Sequence, residues 1–401
     1  MTMNIDEIRS HFPALQRTHN GHPVAYFDAP GGTQVPRVVA DAMSDYLLHH
    51  NANTHWAYPT SEETDAIIAS ARQAAADLLN ARPDEIVFGN NMTTLTFHLS
   101  RTLGRMWNEG DEIIVTELDH HANIAPWQAL AVDRGIVLRT AAMICDTGQL
   151  DYEHLASLVS DKTKLIAVGG ASNAIGTIND LRRIVKIAKD AGVLTFVDAV
   201  HFTPHELVDV KAIGCDFLAC SSYKFYGPHA GILYGRHELL DTFPFPKLAP
   251  APDHAPDRAE TGTQNHEGIA GILATIDFLA SIRPAASRRE SLAGFYHYAH
   301  AEGLRLLTMM WDGLTALPNV RVYGPPPSQP RTPTLSFVVD GLNCDDVSRA
   351  LAAKGLFVSS GDFYAATVCQ RYEVESLVRV GCACYTSGDE VRRLLDAVAA
   401  L

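Results

Sequence analysis

Short apolar runs alternate with helical patterns along the central part of the chain, between about residues 85 and 235. The apolar runs are EIVFG, DEIIVTE, TKLIAVGGAS, VLTFVDAV, FLACSS and GILYG, and the helical patterns lie near residues 94–106, 124–134 and 181–191. Such alternation is typical of strands joined by crossover helices. The pattern therefore predicts an α/β fold whose mainly parallel sheet lies between helices.

The pattern changes after about residue 287. It predicts a long helix through residue 310, strands near 320–323 and 334–339, a helix near 345–354 and a final helix after 387. We therefore expect three parts: an N-terminal segment (1–20) that packs with the small domain, a large domain (21–286) and a smaller C-terminal α+β domain (287–401). The proline-rich stretch at 243–258 is predicted to be a surface loop of the large domain.

Length and charge narrow the classes of function. The 401 residues suffice for two or three domains, and 46 acidic against 32 basic side chains give a net charge of −14. Because no run of Lys or Arg offsets this charge, nucleic acid and anionic membranes are unfavourable partners. The acidic start, MTMNIDEIRSHF, is unlike a signal peptide, and no apolar stretch has the length of a membrane span. We expect a cytoplasmic location.

Neither the cysteines nor the histidines are arranged as a metal site. The seven Cys lack paired CxxC motifs and are expected to be reduced thiols. The clustered histidines lack the HExxH spacing, so we expect no metal at His49, His50, His55, His120 and His121.

Polar residues follow five successive predicted strands at the points where the strands end. Ligands of open α/β sheets bind beyond the carboxyl ends of the strands, so these side chains are expected to meet at one edge. They are Thr93 with Thr94, His120, Asn173, Asp198 and Lys224.

Lys224 and Asp198 suggest chemistry on an aldehyde cofactor. Lys224 follows an apolar strand, and partial desolvation favours the neutral amine that forms a Schiff base with an aldehyde. Asp198 ends another apolar strand and should face a cation. A protonated pyridine nitrogen fits, because a carboxylate beside it keeps the ring an electron sink.

The other strand-end residues suit the rest of the same cofactor. Thr93 and Thr94 lie where a helix begins, so they either bind a phosphate group or simply cap the helix. His120 can stack on an aromatic ring, and Asn173 can hydrogen-bond a ring hydroxyl or a substrate carboxylate. Together the set predicts a site for pyridoxal 5'-phosphate.

Six motifs in one order carry a resemblance that spans nearly the whole chain. They are YFDAPGGTQVP, ELDHHANIAPWQ, ASNAIGTIND, FVDAVHFTPH, SSYKFYGPHAGILYG and ETGTQNHEGIAG. The sequence resembles the class V aminotransferases of fold type I, in their cysteine desulfurase and selenocysteine lyase branch. The resemblance implies a fold type I enzyme that depends on pyridoxal phosphate, acts on an amino acid and forms a homodimer.

The resemblance also implies a role for each matching residue. Catalytic roles would fall to Lys224 as the Schiff-base lysine, to Asp198 and to His120; a catalytic role is also expected for Tyr364, from the chemistry of its phenol and not from a match to the family. Substrate contacts would come from Asn173 and His55, and from Arg379, which would bind the α-carboxylate with two parallel hydrogen bonds. The cofactor would be held by Thr93, Thr94, His120, Asn173, Asp198, His201, Ser221, Tyr223 and Lys224, and by Thr263 reaching the phosphate in the other subunit.

Three positions depart from the desulfurase pattern. His201 stands where desulfurases carry Gln, and Tyr223 where they carry His before the lysine. Tyr364 stands at the position of the persulfide-forming thiol, and Cys369 lies five residues further on. A phenol cannot carry a persulfide, although it can donate a proton.

We therefore expect an enzyme that acts on an amino acid through an external aldimine without forming a persulfide. It would be a desulfurase-like lyase, eliminating at a Cβ–S or related bond, or a class V aminotransferase. The alternatives are an amino-acid epimerase of the same family, a true cysteine desulfurase that uses Cys369, and a non-catalytic protein that binds pyridoxal phosphate.

Overall fold

The computed structural model describes residues 2–401, and two sheets contain most of its strands. In chain order the strands are β1 (Thr18–His19), β2 (His22–Pro23), β3 (Ala25–Tyr26), β4 (Ile86–Gly89), β5 (Glu112–Thr116), β6 (Val137–Ala141), β7 (Met143–Ile144), β8 (Gln149–Leu150), β9 (Thr163–Gly169), β10 (Leu194–Asp198), β11 (Phe217–Ser221), β12 (Gly231–Gly235), β13 (Val320–Tyr323), β14 (Thr334–Val339), β15 (Leu356–Phe357), β16 (Ser359–Gly361) and β17 (Leu377–Gly381).

Helices cover the sheets and fill the connections between strands. They are α1 (Ile5–Ser10), α2 (Arg37–Asp45), α3 (Pro59–Leu79), α4 (Met92–Gly104), α5 (Ala125–Arg134), α6 (Tyr152–Ser157), α7 (Leu181–Asp190), α8 (Val210–Ile213), α9 (His237–Thr242), α10 (His266–Ile282), α11 (Arg288–Thr315), α12 (Cys344–Ala353), α13 (Ala366–Arg371) and α14 (Gly388–Ala399).

The larger sheet has the strand order β4-β12-β11-β10-β9-β5-β6. Strands β11, β10, β9, β5 and β6 are parallel to one another, whereas β12 is antiparallel to both β11 and β4. The predicted α/β fold with a mainly parallel sheet is confirmed. The sequence analysis missed β6, because its run VLRTA is short and interrupted by Arg139.

Both faces of this sheet are buried. Successive side chains of a strand point to opposite faces, so Phe196 packs in one apolar cluster and Val197 in the other. Helix α7 shows how a helix covers a face. Its buried positions, Leu181, Ile184, Val185 and Ala188, repeat at helical spacing along one stripe. This burial is the reason that the strands read as nearly continuous apolar runs.

The smaller sheet is antiparallel, with the order β13-β14-β17-β16, and it lies against α11, α12 and α14. The N-terminal segment contacts this layer through an ion pair between Arg9 and Glu390. The same segment also contacts α10, where the Met3 amide donates to the Ile282 carbonyl. The division at residues 20 and 286 stays a prediction.

The proline-rich stretch and the helices were both subjects of expectations from the sequence. Residues 243–256 form no helix or strand, in keeping with the predicted loop. Among residues 2–401, no helix is both long enough and apolar enough to span a membrane.

Candidate active site

The carboxyl ends of the parallel strands open into one cavity of about 580 Å³. The parallel arrangement explains the convergence, because each strand delivers its following residue to the same edge. The sequence-predicted residues that the structure brings together here are Thr93, Thr94, His120, Asn173, Asp198, His201, Ser221, Tyr223 and Lys224.

Lys224 lies in a tight turn directly after β11. Its Nζ donates to the backbone carbonyls of Pro30 and Gly31. Burial, with the nearby Arg379 charge, lowers the pKa of Lys224 to about 8, although Asp28 and Asp198 act in the opposite direction. A much larger fraction of this amine is therefore neutral and nucleophilic at neutral pH than of an ordinary lysine.

Asp198 is the last residue of β10 and is buried. Its Oδ1 accepts a hydrogen bond from the Val200 amide at 2.9 Å. Burial raises the pKa of Asp198 to about 6, while the Val200 amide and Lys224 partly counter that rise. A buried carboxylate with so little compensation favours a cationic partner inside the cavity.

His120 is held in one orientation and stays neutral. Its Nδ1 accepts from the Ala122 amide at 2.9 Å, which leaves the proton on Nε2. Burial, helped by the Lys224 charge, lowers the pKa of His120 to about 4. The Tyr364 ring lies beside it, with ring centroids 5.6 Å apart. A neutral, oriented imidazole can stack on a flat ligand.

The first turn of α4 forms one end of the cavity. Asn91 caps the helix, since its Oδ1 accepts from the Thr94 amide at 2.9 Å, and Ser221 Oγ accepts from the Met92 amide at 2.9 Å. Thr93 and Thr94 are exposed to the cavity. Because Asn91 performs the capping, the Thr93 hydroxyl is not needed for that role and can face an anion, whereas the Thr94 hydroxyl donates to the Asn91 carbonyl at 2.9 Å.

Arg379 and Asn173 join the small sheet to this edge. Arg379, in β17, donates to the Asn173 carbonyl at 3.0 Å and to Ser359 Oγ, and it pairs with Asp28 at 3.3 Å. Its guanidinium also lies 4.1 Å from the Phe363 ring centroid. Burial lowers the pKa of Arg379 to about 10, against the effect of Asp28. This buried cation can receive a substrate carboxylate.

Two buried polar atoms of the cavity residues have no hydrogen-bond partner in the described chain. They are Asn173 Oδ1 and His201 Nδ1. The other ring nitrogen of His201 shares hydrogen bonds with the hydroxyls of Thr332 and Thr334. Orphaned polar atoms are costly unless a ligand satisfies them. Together with the Asp198 carboxylate and the α4 terminus, they fit the polar groups of pyridoxal phosphate.

Two predicted residues lie elsewhere. His55 and Thr263 are exposed and line a different surface cavity of about 880 Å³. A local contact explains the position of His55. Its backbone amide donates a hydrogen bond to the Asp65 carboxylate of α3, and this bond keeps the loop away from Lys224 of the same chain. Within one chain, then, His55 does not contribute to the Lys224 cavity.

The loop that precedes α13 places Tyr364 and Cys369 very differently. Tyr364 is exposed over 73% of its surface, and its carbonyl accepts from the His121 amide at 2.7 Å. Phe363 and Tyr364 both have φ of +56°, so the backbone of the loop is strained. The hydrogen bond from the His121 amide fixes its position. Cys369 is 3% exposed in the apolar core, and burial raises the pKa of its thiol to about 11.

The sequence analysis missed two carboxylates of the site. Asp119, next to His120, is buried and accepts from the Thr116 and Gly169 amides, and burial raises its pKa to about 7. Asp28, in the motif YFDAPGG, pairs with Arg379. Their positions inside the matched motifs were the available signal. No group of three or more His, Cys, Asp or Glu that suits a metal ion occurs in residues 2–401.

This chain is similar to known proteins in both sequence and fold. The sequence model of the family described as Aminotransferase class-V matches residues 25–394. A cysteine desulfurase of Dickeya dadantii is 34% identical, covering 98% of this chain and 95% of the relative. A cysteine desulfurase of Synechococcus elongatus is 33% identical, and the aligned region covers 98% of this chain and 63% of the relative. An apo structure of a cysteine desulfurase from Thermococcus onnurineus NA1 superposes with a TM-score of 0.90 at 30% identity, over 100% of this chain and 98% of the other.

Proposed function

Because the chain belongs to the class V aminotransferase family, we propose that it is a lyase that breaks the Cβ–S bond of cysteine or a closely similar amino acid. It is an enzyme that depends on pyridoxal phosphate. The observation that carries the proposal is the Lys224 amine, whose pKa is lowered to about 8 and which shares one cavity with the buried Asp198 carboxylate.

Pyridoxal phosphate, when bound, supplies an aldehyde that combines with the substrate amine and a ring that withdraws electrons from Cα. Asp198 would hold a proton on the ring nitrogen, and the neutral His120 ring would stack on the ring of the cofactor. Arg379 binds the substrate α-carboxylate through its N–H donors. Lys224, with its partly neutral amine, removes the proton from the substrate Cα.

The fate of the sulfur separates two versions of this activity. Direct elimination releases sulfide and leaves pyruvate and ammonia, whereas a desulfurase passes sulfur to a protein thiol and leaves alanine. The curated relatives are named cysteine desulfurases, which favours the second version over the expectation from Tyr364 that no persulfide forms. Two observations favour the first: Tyr364 is exposed beside His120, while the Cys369 thiol is buried with a raised pKa.

The product analysis distinguishes these versions. The purified protein is incubated with pyridoxal phosphate and cysteine, and sulfide, pyruvate and alanine are measured with and without a reducing thiol. Pyruvate and sulfide in equal amounts support direct elimination. Alanine with a persulfide on Cys369 supports the desulfurase. Failure of cysteine and its close analogues to react, while Lys224→Ala and the unchanged protein behave alike, would refute the proposed activity.

We also propose a cytoplasmic homodimer. The support is a second cavity on the surface, which His55 and Thr263 line and which is separate from the cavity of Lys224 in the same chain. The exposed apolar side chains of Trp56 and Leu248 line the same surface cavity. A two-fold interface can bring such a surface to the neighbouring active site. Sedimentation should show a dimer, and a fully active monomer would contradict this assembly.

A further inference from the structure

His229 lies in the short connection between β11 and β12 and lines the same cavity as Lys224. Its ring stacks face to face on Tyr223, with centroids 4.8 Å apart and planes 12° from parallel. The Tyr223 ring in turn lies 5.0 Å from Lys224 Nζ. The stack therefore holds an exposed imidazole at a defined place in the cavity wall.

The chain also holds His229 close to the first turn of α4. Gly231, two residues further on, packs so tightly on Asn91 that a Cβ there would lie 2.6 Å from the Asn91 carbonyl carbon. Asn91 is the residue that caps α4, and Thr93 and Thr94 follow it. His229 and the start of α4 thus border the same end of the cavity.

This end of the cavity suits a phosphate group. The N-terminus of a helix favours an anion, and hydroxyl and imidazole donors strengthen its binding. Each of the other basic side chains that line the cavity in residues 2–401 already has a hydrogen-bond partner in the chain, and of the two ring nitrogens of His201 only Nδ1 is without one. His201 bonds to Thr332 and Thr334, His120 bonds to Ala122, and Lys224 donates to two carbonyls.

We propose that His229 donates an imidazole N–H to the phosphate group of the cofactor, with the Tyr223 ring holding the imidazole in place. The inference rests on the proposed function, since it requires that the cavity bind pyridoxal phosphate. It assigns a phosphate contact to a residue that lies outside the set predicted from the sequence.

Affinity measurements with two ligands isolate this contact. The cofactor is removed from the full-length protein, and the dissociation constants of pyridoxal phosphate and of pyridoxal, which lacks the phosphate, are measured by absorbance titration. His229→Phe keeps a flat ring for the stack and removes the N–H donor. We expect its affinity for pyridoxal phosphate to fall about tenfold, and its affinity for pyridoxal to change less than about twofold.

Three controls make the result specific. Tyr223→Phe retains the stack and removes only the phenol hydroxyl, so it should lower the affinity for pyridoxal phosphate less than His229→Phe does. His254→Phe changes an exposed histidine that does not line this cavity, and should match the unchanged protein. His229→Gln, which removes the ring, should weaken pyridoxal phosphate binding as well, and circular dichroism checks that each variant folds.

Other outcomes overturn the inference. An equal loss for both ligands in His229→Phe means that the ring only packs, and no loss means that the phosphate lies elsewhere. If the unchanged protein binds neither ligand, the proposed function itself fails, and this inference fails with it.

Discussion

The lowered pKa of Lys224 has a measurable consequence for cofactor attachment. With a pKa of about 8 instead of the usual 10.5, the neutral fraction of this amine at pH 7 is larger by about 300-fold. The rate at which the cofactor-free protein takes up pyridoxal phosphate should therefore rise with pH, with its midpoint near pH 8, and level off above about pH 9. An ordinary lysine would continue to gain reactivity up to about pH 10.

Removing the neighbouring charge should shift this profile in a known direction. Arg379 is the largest charged contribution that lowers the pKa of Lys224. Arg379→Met should therefore raise that pKa and move the midpoint of the rate profile to higher pH. Arg349→Met, on an exposed helix position away from the cavity, serves as the matched control.

The assay follows the absorbance change of attachment by stopped flow between pH 6 and pH 10.5, with Lys224→Ala as the blank. Borohydride treatment followed by peptide mapping identifies the labelled residue. A midpoint near 10.5 in the unchanged protein, or label on a different lysine, would refute the reasoning from burial.

Four further substitutions test the site and the fold. Asp198→Asn should retain the cofactor but lower turnover roughly a hundredfold, because a neutral amide no longer keeps the ring nitrogen protonated; near-normal turnover with full cofactor occupancy would contradict this. Tyr364→Phe should lower sulfide release about tenfold or more and Cys369→Ser should leave it unchanged, whereas the reverse pattern would support a desulfurase that uses Cys369. Trp127→Ala should lower the free energy of unfolding by about 3–5 kcal/mol, because the side chain is fully buried against Phe196; a urea titration showing less than about 1 kcal/mol would contradict the packing.

Local sequence patterns were sufficient to predict the strands of the large sheet except β6, and the polar residues that follow those strands and line the cavity. The apolar runs that end at Thr116, Asp198 and Ser221 match β5, β10 and β11, because strands buried on both faces must be apolar throughout. Parallel strands then bring their following residues to one edge, so the grouping of His120 with Lys224 needed no structure.

The remaining features depend on contacts between residues that are distant along the chain. Asp28 meets Arg379 although 351 positions separate them, and no local pattern encodes such a pair. Cys369 is buried because α13 packs in the apolar core. Tyr364 is held beside His120 because its carbonyl accepts a hydrogen bond from the His121 amide. A thiol and a phenol at these positions look equally available in the sequence. Their exposure, and with it their chemistry, is set by how α13 and the loop before it pack against the rest of the chain, because burial and long-range hydrogen bonds exist only once the chain is folded.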